Sequence, residues 1–377
     1  MKHRNLTRLL LLLSTLFISF FAKGQQNDDL INILLKKNII SQREADSIRA
    51  DQDVKQQANS DKENQHGITI GSRALELSGL VQTEYEGSWQ SKVPNTFLLH
   101  RARLDVKGDI DDSWNYEVYT EFATTTRLLD AYTTYKIADL LKISAGQFKV
   151  PYSLESLIAD SQLEFIDRSQ VVNALAGRSS DVIGDQNGRD IGAQISGSFA
   201  KLDDRYLFDY TLGVFNGAGY DVAGDNNGHK DMVGRFTAHL IKDLEISGDF
   251  YNGQGKYGTP AKNYGRNRRG FDARYATGRL CITAEYDKAT DGLIKRDGYF
   301  IQAAYFVIPK HLQLAAKYDT YDPNEVINTD RVWIYTGGIN YFFNNWAKFT
   351  IDYLNHREET AVQVKNNIVE LQLQLAF

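Results

Sequence analysis

The chain has 377 residues, 42% hydrophobic and 24% charged, and its 43 Lys and Arg against 48 Asp and Glu give a formal net charge of -5. A mean hydropathy of -0.41 excludes a bundle of membrane-spanning helices, and the acidic balance argues against nucleic-acid binding, which needs a basic face. The single cysteine, Cys281, excludes a disulfide framework and a thiolate zinc cluster. The 21 Tyr, 19 Phe and 29 Gly against 2 Met favour strands and turns over helices.

Residues 1–24 have the layout of a secretory signal peptide. A basic segment with Lys2, Arg4 and Arg8 precedes an apolar run from Leu9 to Phe21, and cleavage is expected near Gly24. A membrane anchor is the alternative, but the run has about 13 residues and a helical span needs about 20. Cleavage removes four basic residues and no acid, so the net charge of the mature chain becomes about -9.

Residues 25–51 are predicted to form a helical prefix in the periplasm. Ser41 and Glu44 make a capping box, and the apolar residues at helical spacing are Leu30, Ile31, Leu34 and Leu35. A short amphipathic hairpin buries little surface alone, so we expect it to self-associate as a coiled coil or to dock on a partner. A partly disordered arm is the alternative. The polar residues 52–66 are predicted to be a linker before a barrel domain, residues 67–377.

From about Arg73 to the C-terminus, apolar and polar residues alternate with period two, which is typical of β-strands with two different faces. In one segment the apolar Leu280, Ile282, Ala284 and Tyr286 alternate with polar neighbours. About sixteen segments of roughly 9 to 14 residues can be traced, the length of tilted strands that cross a bilayer. They start near positions 73, 97, 113, 129, 142, 189, 204, 230, 244, 269, 279, 297, 311, 331, 346 and 364.

The connections between these segments alternate between short turns and long loops, as in outer-membrane barrels. All five prolines fall in connections, as an uninterrupted hydrogen-bond ladder requires. The last segment ends on Phe377, as expected of a chain delivered to the barrel assembly machinery. We therefore predict an all-β fold, a 16-stranded antiparallel transmembrane β-barrel in contact with outer-membrane lipid; a soluble β-helix or sandwich is the alternative.

Several motifs resemble the phosphate-selective porin O and P family. They are Gly146-Gln-Phe-Lys-Val-Pro-Tyr-Ser-Leu-Glu155, Phe165-Ile-Asp-Arg168, Arg189-Asp-Ile-Gly192, Gly213-Val-Phe-Asn-Gly217, Lys317-Tyr-Asp319 with Asp322-Pro-Asn324, and Gly338-Ile-Asn-Tyr341. Their order covers almost the whole mature chain, and the prefix also resembles N-terminal segments of this family. The resemblance implies a homotrimer of 16-stranded channels in the Gram-negative outer membrane, with a long third loop folded into the lumen and anions passing Arg and Lys side chains.

The longest connection, about Pro151 to Gly188, follows the fifth predicted strand, where the constriction loop is expected. If the apolar faces point to lipid, the basic residues on the lumen face are Arg101, Arg103, Lys107, Lys136, Arg235, Arg274, Lys317 and Lys348. The third loop adds Arg168 and Arg178, and Lys149 and Arg189 flank it.

A guanidinium binds two phosphate oxygens at once, so a subset of these residues is a candidate anion path. The alternative is that they only form ion pairs with acids on the same faces, namely Asp105, Glu117, Glu121, Asp272, Glu285, Asp287 and Asp319. The acidic mature charge weighs against phosphate selectivity in particular. A further basic group, Arg266, Arg268 and Arg269, is expected in the fifth long loop on the outer rim.

Other motifs carry no site. Gly253, Gly255 and Gly258 match a dinucleotide motif, but Thr259-Pro260 follows instead of a helix. The loop with Asp221 and Asp225 lacks a Ca²⁺-binding pattern. No Gly-x-Ser-x-Gly motif occurs, so catalysis, metal and cofactor are not expected. The sequence predicts an outer-membrane porin for passive diffusion of small hydrophilic solutes, in particular anions; the alternatives are a weakly selective general porin, an outer-membrane hydrolase and a structural barrel.

Overall fold

The computed structural model describes residues 75–90, 93–222, 224–360 and 364–377. The predicted signal peptide, helical prefix and linker lie outside these residues. In the part that is described, none of the helices has the length and apolar character needed to cross a membrane.

Sixteen antiparallel strands form a closed barrel within the described residues; each strand pairs with its neighbours in sequence, and the first pairs with the last. The strands are β1 (Glu76–Ser88), β2 (Thr96–Asp109), β3 (Trp114–Glu121), β4 (Arg127–Ala138), β5 (Leu141–Lys149), β6 (Arg189–Leu202), β7 (Arg205–Phe215), β8 (Asp231–Ile241), β9 (Leu244–Tyr257), β10 (Lys262–Ala276), β11 (Leu280–Asp291), β12 (Ile294–Ile308), β13 (Leu312–Asp322), β14 (Val332–Phe342), β15 (Ala347–Glu358) and β16 (Ile368–Ala376). The predicted strand number and closure are confirmed. The predicted starts lie close to the observed ones except for β10, which begins at Lys262 rather than near position 269.

The alternation along the strands separates an inner from an outer face, because successive side chains of a strand point to opposite sides. On β11, Thr283, Glu285 and Asp287 are buried inside the barrel, whereas Ile282 and Tyr286 on the outer face are exposed. The polar residues thus lie in the interior and the apolar residues outside, which is the reverse of a water-soluble protein.

The connection between β5 and β6, residues 150–188, folds into the barrel and is called the third loop below. It contains two short helices, α1 (Leu154–Leu157) and α2 (Gln170–Leu175), and a 3₁₀ turn at Asp160–Gln162. Val171, Val172 and Leu175 are fully buried. They pack with wall residues that include Phe148, Phe215, Val233, Tyr251 and Phe300. Among the residues that the structure describes, the largest cluster of buried apolar side chains therefore lies between the third loop and the barrel wall.

Gly146 on β5 allows a close approach to β4. Its φ is +137°, and an added Cβ would lie 2.2 Å from the carbonyl oxygen of Ala131 and 2.6 Å from Cα of Tyr132. Gly146→Ala is therefore expected to lower the free energy of unfolding by roughly 2 kcal/mol, measured by urea unfolding in detergent micelles. Gly337→Ala is the matched control, because nothing lies within 4 Å of its added Cβ; equal stability of the two variants would contradict the prediction.

Candidate functional site

Three of the predicted lumen arginines meet at one carboxylate of the third loop, that of Asp160. Arg101 and Arg103 extend from β2, and Arg168 belongs to the loop itself. Arg103 also donates to Oε2 of Glu121 at 2.6 Å. Burial by itself would raise the pKa of Asp160, but the guanidiniums around it hold that pKa well below its ordinary value. Asp160 is therefore a charged carboxylate that ties β2 to the third loop.

Further basic residues lie at the two ends of the third loop. Nζ of Lys149 donates to two loop carbonyl oxygens at 3.0 and 3.1 Å, and Arg178 donates to Oγ and the carbonyl oxygen of Ser156 at 2.9 and 2.7 Å. Arg189 makes two hydrogen bonds to Asp130, at 3.0 and 2.7 Å. Burial, followed by repulsion from neighbouring guanidiniums, lowers the pKa of Arg178 well below its usual value.

These residues form one group with an excess of positive charge, called the third-loop basic cluster. Its basic members are Arg101, Arg103, Lys149, Arg168, Arg178 and Arg189, and the carboxylates paired with them are those of Asp160, Glu121 and Asp130. Six basic side chains thus share three paired carboxylates; Arg101, Arg103, Arg168 and Arg189 make the ion pairs, whereas Lys149 and Arg178 bind oxygen atoms of the loop. The side chains of Arg103, Arg168 and Arg189 are 3%, 3% and 2% exposed, and that of Arg101 is 12% exposed.

The other six predicted lumen residues lie outside this cluster, namely Lys107, Lys136, Arg235, Arg274, Lys317 and Lys348. Arg235 is 2.7 Å from both Asp249 and Asp272, so it follows the alternative prediction of an ion pair inside the wall. Arg274 lies 3.6 Å from Glu164 of the third loop.

Lys317 and Lys107 differ in their access to water. Nζ of Lys317 donates to the carbonyl oxygen of Asp167 at 2.8 Å and lies 4.8 Å from the centre of the Phe165 ring. Lys107, 3.4 Å from Glu76, has a side chain that is 43% exposed, similar to that of Lys136 at 46%.

Acidic residues of the wall bind the backbone of the third loop. Loop amides donate to wall carboxylates in four hydrogen bonds, Ser153 to Asp249, Glu155 to Glu285, Gln170 to Asp319 and Ile166 to Asp352, at 2.7 to 3.0 Å. Loop carbonyl oxygens accept from the side chains of Lys149, Arg268, Lys317, Asn340, Lys348 and Gln374. Since a buried backbone group without a partner costs free energy, these wall residues hold the loop in one path across the lumen.

Two arginines expected on the outer rim lie inside the barrel instead. Arg266 donates to Asp181 of the third loop at 2.7 Å, and Arg268, whose side chain is 0% exposed, bridges Asp181 and Asp291. Burial would raise the pKa of Asp181, yet the two guanidiniums lower it. The prediction was wrong because β10 starts earlier than expected. Arg266 and Arg268 lie at alternate positions with Asp272, which points inward. This spacing in the sequence could have identified them as inward-facing strand residues.

The remaining polar loops show no metal centre. Among the described residues, no group of three or more His, Cys, Asp and Glu side chains has an arrangement that could hold a metal ion. Asp225 accepts from the amides of Asn227 and Gly228 and pairs with Lys230 at 2.5 Å, so its carboxylate is used within its own turn.

A closed barrel of sixteen strands with a long loop inside it defines the class of porins. The family model of the phosphate-selective porin O and P family matches residues 82–253 and 258–377. The chain therefore belongs to this family, as the sequence resemblance indicated, and it is a porin of the Gram-negative outer membrane.

Solved porins and channels share the fold. An anion-selective porin from Comamonas acidovorans aligns over 81% of this chain and 100% of its own, with a TM-score of 0.62 and 16% identity. The outer-membrane channel DcaP of Acinetobacter baumannii aligns over 82% and 99%, with a TM-score of 0.56 and 14% identity. OprB of Pseudomonas putida aligns over 81% and 94%, with a TM-score of 0.59 and 11% identity. Among curated proteins, no sequence matches this chain.

Proposed function

We propose that this porin passes small hydrophilic solutes by passive diffusion and prefers anions. The observation that carries the proposal is the third-loop basic cluster, in which four arginines share three carboxylates and Lys149 and Arg178 lie beside them. Because its side chains are mostly buried, the cluster acts on a passing ion chiefly through its electric field, which low-dielectric walls focus into the aqueous path. Lys107, Arg274 and Arg101 have side chains that reach water, with exposed fractions of 43%, 27% and 12%.

The outer face of the barrel supports insertion into the bilayer. Phe97, Ile246, Phe271 and Leu314 are exposed on it at 84%, 49%, 67% and 46%. Contiguous apolar surface of this kind is costly in water and favourable in lipid. We infer that the strands span the outer membrane. The rim of the barrel from which the third loop enters the lumen then faces the cell exterior.

The assembly of the porin is also part of the proposal. We infer that residues 1–24 are removed as a signal peptide, that the prefix of residues 25–51 lies in the periplasm, and that three copies form a trimer. Phe377 pairs through its backbone with Gly79 at the β1–β16 seam, which is compatible with its recognition by the assembly machinery before closure. Deletion of residues 28–58 is expected to weaken trimer assembly or periplasmic contact while the barrel still inserts; failure to insert would make the prefix part of the fold.

A weakly selective general porin is the second candidate. It is favoured by the ion pairs that occupy Arg103, Arg189 and Arg235, since paired charges attract a passing ion less than free ones do.

Reversal potentials in a KCl gradient across planar bilayers decide between the two. We expect the wild-type protein to favour chloride over potassium and the double variant Arg101→Gln/Lys107→Gln to lose part of this preference. One unit charge about 8 Å from an ion in water contributes roughly 0.5 kcal/mol, with opposite sign for chloride and potassium, so each substitution is expected to change the permeability ratio about fivefold. Lys242→Gln, in an exposed turn, is the control. Cation preference of the wild-type channel would overturn the anion proposal.

A further inference from the structure

Basic side chains are concentrated on one part of the outer wall. Lys256 of β9, Arg269 of β10, Lys288 of β11 and Lys295 of β12 are exposed and occupy outward-facing positions. Their inward neighbours Arg268 and Asp287 are buried. We call these four outward residues the β9–β12 basic patch.

The centre of the patch is a pair of like charges. Arg269 lies directly opposite Lys288 in the β10–β11 register. Like charges at opposite positions of neighbouring strands destabilise a sheet. Lys288 is partly compensated, because its Nζ lies 2.8 Å from Glu325 and Asp297 lies opposite it in the β11–β12 register. Asp297 also pairs with Arg331, at 3.3 Å. The cross-strand neighbours of Arg269 are Lys288 and Phe250, so no carboxylate lies opposite it.

Arg269 itself is held in place without a carboxylate. Its guanidinium donates to Oδ1 of Asn252 at 2.9 Å and to the carbonyl oxygen of Arg268 at 2.6 Å, and it stacks over the Phe250 ring at 5.7 Å. In the described part of the chain, no acidic side chain pairs with it. The contacts fix the orientation of the guanidinium and leave its charge uncompensated.

The rows of side chains on either side of the central pair differ in polarity. On the side of the barrel rim from which the third loop enters the lumen, the adjacent row is polar. There Asn267 lies opposite Asn252 and Thr290, and Thr290 lies opposite Lys295. Towards the other rim, the adjacent row contains Phe271, Tyr286 and Tyr299, which are 67%, 37% and 42% exposed. An aromatic row followed by a polar one marks the boundary between hydrocarbon and head groups on a membrane barrel.

We propose that the β9–β12 basic patch binds the phosphate groups of phosphorylated glycolipids in the outer leaflet. Guanidinium and ammonium groups bind phosphate through charge-assisted hydrogen bonds. The neighbouring amides and hydroxyl, Asn252, Asn267 and Thr290, offer further hydrogen bonds to a sugar head group, and the aromatic row contacts the acyl chains. The proposal rests on insertion into the outer membrane but not on the selectivity of the pore.

Titration of the purified full-length protein in detergent with lipid A tests the proposal. Wild-type protein is expected to bind bisphosphorylated lipid A more tightly than dephosphorylated lipid A. Arg269→Gln/Lys288→Gln is expected to weaken binding of the bisphosphorylated form by about tenfold for each cation removed. Arg269→Lys keeps the charge and is expected to retain most of the affinity. Lys201→Gln, at the opposite rim, is the matched control and is expected to bind as wild type does.

Two results would overturn the proposal: equal affinity of the wild-type protein for both forms of lipid A, or wild-type affinity of the double variant. Conductance of the same variants in planar bilayers is expected to equal that of the wild-type channel, because Arg269 and Lys288 lie outside the lumen. The conductance measurement separates lipid binding from ion passage. The glycolipid proposal and the anion-preference proposal can therefore be contradicted independently of each other.

Discussion

Asp160→Asn is expected to increase the chloride preference of the channel and to loosen the third loop. The substitution keeps the shape of the side chain but removes the one negative charge shared by Arg101, Arg103 and Arg168. Leaving buried charges without their partner costs about 3 kcal/mol. The permeability ratio of chloride to potassium is expected to rise at least about twofold, from the loss of one unit charge near the path. Reversal potentials in a KCl gradient and single-channel current noise are the measurements.

Asp185→Asn is the matched control for this prediction. Asp185 lies in the same loop and undergoes the same change of charge, but it is exposed and accepts a hydrogen bond only from the amide of Asn187 at 2.9 Å. The control variant is expected to keep a quiet channel and wild-type stability. If Asp160→Asn behaves like Asp185→Asn in both measurements, Asp160 does not hold the arginines.

Asp181→Asn is expected to release the second half of the third loop from the wall. Asp181 is buried and forms ion pairs with Arg266 and Arg268. Its neutralisation removes the ion pair of Arg266, whereas Arg268 keeps its ion pair with Asp291. The expected loss is about 3 kcal/mol in the free energy of unfolding. Limited proteolysis is expected to cut within residues 170–188 of the variant while the barrel strands stay intact.

Asp204→Asn provides the comparison for Asp181→Asn. Asp204 is exposed in the short turn between β6 and β7, so its substitution is expected to leave both the melting temperature and the proteolysis pattern unchanged. Protection of the third loop in Asp181→Asn equal to that in the control would contradict the role of Asp181 as an anchor.

The strands could be predicted because their two faces meet different environments. Alternation is visible wherever the outer face is apolar, as at Phe271 and Tyr275 of β10. It disappears earlier on the same strand, where Asn263, Asn267 and Arg269 make the outer face polar as well. The start of β10 was therefore placed too late, and Arg266 and Arg268 were assigned to a loop.

The pairings inside the lumen could not be predicted in the same way. The sequence shows that basic and acidic residues share the inner face, but which of them meet depends on the path of the third loop. Asp160 lies 57 residues from Arg103, and Ser161 lies 213 residues from Gln374. No local spacing in the sequence connects partners so far apart, because these contacts depend on the path of the folded loop.

The distance in sequence between the third loop and its wall partners bears on the order of assembly. The amides of residues 153–170 bind carboxylates at positions 249–352, and the carbonyl oxygen of Ser161 binds the last strand. Contacts of such high sequence separation form late in folding. The third loop therefore binds its full set of partners only when the C-terminal strands are in place. Docking of the loop in the lumen is thus coupled to closure of the barrel. The intermediate that a chaperone would meet before closure has an interior that the loop does not yet fill.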